Sequence, residues 1–330
     1  MSKRLSGDEL MRIKAIFMPY AFAQRDALLK RNGTFAYYTS ADTAAKIIQY
    51  KQIWMRNAST MNDYSEIDYG RECLRYARES LSLGERFKAA LNMCFVGLAE
   101  EVEQAFKYFS TTIREETYIT CISEHAPPPA HSEEYFGRLS MWRAYGGSSG
   151  VALILRNNTI VGTGNVALGA FSSPVGYFTP QQMAEELAQV IRNIEGSLQL
   201  LQSIDRSQLK DIALIALIFG VLATKHPAFS EEREWRVISA PRLFGDGTLL
   251  DDIVTVRETV QRIRKIELKN DPNNNLSGLA LTDILEKVII GPTNYPRVVR
   301  DSFIALLQKA GFADAENRVI QSDVPLRHIL

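Results

Sequence analysis

Along the chain, the spacing of apolar positions switches repeatedly between the helical period and the strand period. Residues 8 to 31 carry two helical pieces separated at Pro19 and closed by Asn32 and Gly33, residues that suit a helix end. TFAYY (34–38) is short, aromatic and β-prone, and Ser40 is placed to cap a following helix whose apolar side is Ala44, Ala45, Ile47 and Ile48. QIWMRNA then returns to strand character, so a tight strand, helix, strand unit is predicted.

Ser82 with Glu85 forms a capping-box pattern at the head of a helical stretch that runs to about Phe109. ETYITCIS (116–123) reads as a strand and EHAPPPAHSEE as an exposed loop, because consecutive prolines exclude helix. RLSMWRAYGGSSGVALILR (138–156) reads as a short helix or turn, a glycine-rich loop and a strong strand, with FSSPVGYF as its antiparallel partner. Thr179, Pro180 and Gln182 open a helical region that reaches Ala223 with one break. Strands follow at SEEREWRVIS (230–239), RKIELK (264–269), KVIIGP (287–292) and NRVIQS, with a helix near 296–310.

This order predicts an α+β fold built on a largely antiparallel mixed sheet. A helical extension over 1–33 precedes a single domain over 34–330, with helical insertions near 82–110 and 180–224.

Composition narrows the function classes. The 330 residues are 46% hydrophobic, enough for a sizeable core, and Lys+Arg and Asp+Glu balance at 38 each. No global field therefore points to nucleic acid or an anionic membrane. Cys73, Cys94 and Cys121 are odd in number and unpatterned, which fits a reducing, cytoplasmic compartment. The N-terminus does not resemble a signal peptide. The longest apolar run, IALIALIFGVLA (212–223), is shorter than the roughly 20 residues of a membrane span and reads as a buried helix.

Chemistry concentrates in a few places. At strand period, Glu232, Glu234 and Arg236 share one face of SEEREWRVIS, and Arg233, Trp235 and Val237 share the other. Two such carboxylates about 7 Å apart repel by about 2 kcal/mol at an effective dielectric near 20, so burial requires a compensating partner. Polar residues also stand where strands end: Tyr38, Thr39 and Ser40 after the first, and Arg56, Asn57 and Ser59 at the second. NDYSE adds Asn62, Asp63 and Glu66, read either as a turn with helix-capping acids or as a ligand-binding loop. Trp142 and Tyr145 are three apart before a glycine-rich loop that could approach a phosphate. Cys121, His125 and His131 match no zinc spacing. Asp63, Glu232 and Glu234 with Arg236 or Lys225 would suit a magnesium-dependent nuclease, and a non-catalytic ligand-sensing module is the third alternative.

The blocks YYTS, NDYSE, CISE with MWRAYGGSSGVAL, a lysine before EREWRVI, VIIGP and VIQSDVPLR make the chain similar to a bacterial family known as domain of unknown function 2971. The resemblance runs from about Phe35 onward. More distantly, the chain resembles ADP-ribosyltransferases: AYYTSADTAAKIIQYKQIW looks like their first strand, helix and second strand, and Glu232 with Glu234 looks like their ExE motif. Their His or Arg position falls on Tyr37 or Tyr38.

That resemblance implies a split sheet, NAD as substrate and a protein or nucleic-acid acceptor. It also implies a toxin or antiphage setting with an antitoxin or defence-system partner. In it, Glu234 would stabilise an oxocarbenium ion, Glu232 would orient the acceptor, and Arg56 or Arg236 would meet the pyrophosphate. Tyr38, Thr39, Ser40, Asn62, Asp63 and Glu66 would line the nucleotide site, and Trp142 or Tyr145 would stack on a ring.

Overall fold

The computed structural model describes residues 7–60, 64–113, 115–127, 132–157, 165–256 and 258–324. It is a mixed α and β structure with a largely antiparallel open sheet, as the pattern predicted. The chain divides into two compact units. The first comprises Met1–Ala27, Met61–Glu115 and Ser173–Ser230, and the second Leu28–Thr60, Glu116–Ser172 and Glu231–Leu330.

In chain order the strands are β1 (Thr34–Ser40), β2 (Gln52–Asn57), β3 (Tyr118–His125), β4 (Ser149–Arg156), β5 (Phe171–Pro174), β6 (Gly176–Tyr177), β7 (Thr224–Lys225), β8 (Glu234–Ser239), β9 (Leu250–Val256), β10 (Thr259–Glu267), β11 (Leu285–Thr293) and β12 (Val319–Gln321).

The first unit is helical. Gly7–Phe17 and the start of Pro19–Lys30 pack with Tyr64–Glu79, Leu83–Cys94, Leu98–Thr112, Pro180–Glu195 and Arg206–Leu222. Pro180–Glu195 begins with the predicted capping box: Gln182 N donates to Thr179 Oγ1 and Thr179 N donates to Gln182 Oε1. The box expected at Ser82 is not formed. Ser82 has φ 55° and makes no side-chain cap, because the chain folds sharply through Leu81 and Ser82 to begin Leu83–Cys94. β6 and β7 pair in parallel at the edge of these helices, so FSSPVGYF does not pair with the 149–156 strand as expected.

The second unit holds the sheet. β4 lies between β1 and β11, both antiparallel to it. β2 leads through β10 to β9, an edge strand whose partly exposed alternation of charged and apolar residues left it unnoticed in the sequence. One face carries the main core, into which Phe35, Ile53, Met55, Ile122, Trp235 and Val237 project. The helix Ala41–Tyr50, capped by Ser40 as predicted, adds Ala44, Ile47 and Ile48 to that core. Trp235 packs edge-on against Phe35 there, at 5.2 Å between ring centroids.

The sheet forks at β3. Ser123 pairs with Glu234 on one side and Ala36 on the other, and Ile119 pairs with Ile238 on one side and Arg56 on the other. β8 therefore follows one edge of β3, while β1 and β2 share the opposite edge, each holding one end. Beyond Ala36, β1 pairs with β4 and leaves β3; before Arg56, β2 pairs with β10. Between them the Thr120–Ile122 stretch of β3 takes part in neither ladder.

Candidate functional site at the fork of the sheet

The face opposite the main core is polar around the fork. Strand registers set its side chains in successive rows: Ala36, Ser123 and Glu234; then Cys121 and Arg236; then Arg56, Ile119 and Ile238. Backbone spacing separates Glu234 from Arg56 by on the order of 17 Å, two strands across and two rows along.

Glu234 and Arg236 are both buried, and Arg236 Nε donates to Glu234 Oε1 at 2.8 Å. They share a face, as strand period required, with Trp235 behind them in the core. Glu232 does not join them. It ends the 3₁₀ turn Pro227–Glu232, and Arg233 has φ 45°, so the strand begins only at Glu234 and the expected row of three charged side chains is cut to two. Pro227 and the left-handed Arg233 interrupt the extended backbone that the period of two assumes.

Arg138 fixes this corner. Its Nη1 donates to Ser123 Oγ at 2.7 Å and to the carbonyls of Glu231 and Glu232 at 2.8 and 2.9 Å. Its Nη2 donates to Glu124 O at 2.6 Å, and Nε and Nη2 each reach a Glu133 carboxylate oxygen at 3.1 Å. Burial alone would raise the Glu133 pKa, but hydrogen bonds from Arg138 and the charges of Arg138 and Arg233 hold it below the ordinary value. Arg138 escaped the sequence reading because its partners lie between 5 and 100 residues away, and no local spacing signals them.

Tyr38 accepts the Arg138 backbone N–H at 2.9 Å on its hydroxyl and stands edge-on to Trp142, with ring centroids 4.8 Å apart. Burial pushes its pKa up to about 12 in spite of the nearby Arg138 charge, so the phenol stays protonated. Tyr37 faces the other way, and burial likewise raises its pKa despite a hydrogen bond with Thr120.

Trp142 is not a stacking surface for a ligand. It is buried to 1% exposure, its Nε1 donates to Phe136 O at 2.8 Å, and its ring fills the space that side chains at Gly137, Gly150 and Gly291 would occupy. Within the glycine-rich loop, Gly150 thus makes room for the indole, while a side chain on Gly147 would meet nothing. Tyr145, three residues on, is 40% exposed and does not share the Trp142 environment.

Thr39 pairs with Val151 on the opposite face, and Ser40 serves as the helix cap. Arg56 donates to Gln261 Oε1 at 3.2 Å and Thr60 O at 2.6 Å, and Asn57 Oδ1 accepts from Ser59 N in a local turn. Asn62, Asp63 and His131 lie outside the described residues.

In the helical unit, Glu66 pairs with Lys225 Nζ at 2.6 Å, both buried, and Lys225 Nζ sits 4.8 Å from the Phe229 ring centroid. Cys121 and His125 are four residues apart along β3, about 13 Å, too far to share a metal ion. Among the described residues, no three His, Cys, Asp or Glu side chains are grouped to hold one. No helix among them is long and apolar enough to cross a membrane.

A family model described as a protein of unknown function (DUF2971) matches residues 141–237. The DUF2971 match takes in Trp142, Tyr145, the β4 strand, Lys225, Glu234 and Arg236, and leaves Tyr38 and Arg56 outside its span. It is narrower than the resemblance from Phe35 onward. No curated protein and no solved structure matches the chain.

Proposed function

We propose that the chain is an NAD-consuming enzyme of the ADP-ribosyltransferase type, with Glu234 as its catalytic carboxylate. The observation that carries this reading is the position of Glu234: buried, ion-paired, and on a strand bordering the fork of the sheet. A split sheet with a carboxylate on a late core strand is the arrangement the resemblance implies.

The chemistry suits the residues. As the bond between ribose C1′ and the nicotinamide nitrogen breaks, its electron pair leaves with nicotinamide and positive charge develops on the ribose; the acceptor's nucleophilic atom, or water where no acceptor is present, then bonds to C1′ and gives up its proton. A fixed carboxylate in a water-poor site stabilises that charge, as in glycoside hydrolysis. Arg236 holds the Glu234 carboxylate in place, and that carboxylate would accept from a ribose hydroxyl. Arg56, on the far side of the fork, would meet a different part of an extended dinucleotide, the pyrophosphate. Because Glu232 leaves the strand face, it does not stand beside Glu234 to orient the acceptor, and Glu234 keeps its own role of stabilising the ribose charge.

The test is incubation of the purified full chain with NAD, with nicotinamide measured by chromatography. Release by the wild type and its loss in Glu234→Gln, with unchanged circular dichroism, supports the reading. A wild-type protein that neither binds NAD nor releases nicotinamide overturns it.

A further inference from the structure

The helical unit contains an apolar cavity of about 100 Å³ that the proposed chemistry does not use. Phe17 and Tyr20 from the N-terminal helices, Phe178 after β6, Glu186 from Pro180–Glu195, and Leu217 and Gly220 from Arg206–Leu222 are among its walls. That is about two thirds of the roughly 150 Å³ of a dry apolar cavity that admits benzene, so one ring is the upper limit of what it takes.

Two observations set it apart from a packing defect. Gly220 lies within a helix, where glycine costs stability relative to alanine. Its φ is ordinary, and a Cβ placed on it meets nothing within 4 Å. Neither backbone geometry nor crowding calls for glycine there. Gly70 in the same unit is different, since a Cβ there would lie 2.1 Å from Val221 O. The missing side chain at Gly220 is empty space on the cavity wall.

The second observation is the polar inventory. The hydroxyls of Tyr20, Ser173 and Thr224 donate to Val175 O, Pro174 O and Gly220 O. Glu186 accepts one hydrogen bond, from Tyr20 N to Oε1 at 2.8 Å, and its other oxygen takes none from the described residues. Burial raises its pKa in spite of that bond. The polar function left over is therefore an acceptor on an apolar wall.

We infer that this cavity binds a small apolar amine, one ring in size, with the ring against Phe17, Phe178 and Leu217 and the nitrogen donating to Glu186. An ammonium supplies both the donor and the charge that a half-buried carboxylate lacks.

The full chain is titrated with benzylamine and with toluene by isothermal calorimetry. Saturable benzylamine binding is expected. Glu186→Gln should weaken benzylamine about tenfold or more while leaving toluene nearly unchanged, since a charge-assisted hydrogen bond is lost and the apolar contact is kept. Gly220→Leu should fill the space, raise the melting temperature and remove binding of both; if it fails to fold, Gly220→Ala should keep the fold and weaken both ligands. Absence of saturable benzylamine binding to the wild type, equal weakening of both ligands by Glu186→Gln, or unchanged binding in the folded Gly220 variant would overturn the assignment.

Discussion

Arg236 and Glu234 stand two residues apart on β8 and meet through a 2.8 Å contact, with both side chains buried beside the fork of the sheet. Burying charges carries a desolvation cost that a well-packed apolar pair would avoid. A reaction that needs a fixed carboxylate supplies a reason for the pair. Glu234→Gln retains shape and one acceptor, so unfolding free energy should change by less than the loss of the pair implies, while nicotinamide release should fall by at least about a hundredfold. Rate and urea unfolding measured on the same preparation separate the two.

Arg236→Ala is expected to behave differently. It removes the guanidinium and leaves Glu234 buried with that partner gone, which costs roughly 3–5 kcal/mol. Arg236→Ala combined with Glu234→Ala should recover part of this stability. A double variant no more stable than the single would show that the carboxylate left behind is not what destabilises Arg236→Ala.

Arg138 is a positioning residue. It ties Ser123, Glu124, Glu231, Glu232 and Glu133 together, so Arg138→Ala should destabilise the second unit by about 3–5 kcal/mol. Arg138→Lys lacks the planar fork and should rescue little of that loss. Near-complete rescue by lysine in chemical denaturation would refute the assignment.

His125 gives a pH signature. Burial holds its pKa down to about 4 from an ordinary 6.5, although Glu134 pulls the other way. Nε2 stands 3.7 Å from Glu134, but the contact is an ion pair only when the ring is protonated, and the stronger effect of burial keeps it neutral. Between pH 6.5 and 4 the unfolded chain takes up a proton that the native ring refuses, so stability falls as pH falls through this window. The contribution is roughly 3 kcal/mol. Replacing His125 by Leu should remove that part of the slope when denaturation midpoints at pH 7 and pH 4 are compared with the wild type.

Trp142 tests the packing under the glycine-rich loop. A Cβ on Gly291 would lie 2.8 Å from the Trp142 ring, so Gly291→Ala should cost about 1–3 kcal/mol by overpacking. Trp142→Ala should cost about 3–5 kcal/mol by leaving a cavity. If the indole instead served a ligand, Gly291→Ala would leave the melting temperature unchanged.

Local pattern was enough for much of this protein. Helices at Pro19–Lys30 and Pro296–Ala310, the Ser40 cap, the Thr179 capping box, and the strands β1, β2, β3, β4 and β11 follow from residue spacing and backbone chemistry that act within a few residues. The shared face of Glu234 and Arg236, with Trp235 opposite, followed from strand period alone. Tertiary structure decided the rest. Whether Glu232 belonged to that face depended on where the backbone turned at Arg233, and whether Trp142 was a ligand surface depended on three glycines brought against it from Gly137, Gly150 and Gly291. The fork of the sheet and the grip of Arg138 arise between segments as far apart in the chain as Tyr118 and Ser239, where registers and hydrogen-bond partners are set by packing across the fold rather than by neighbours along the chain.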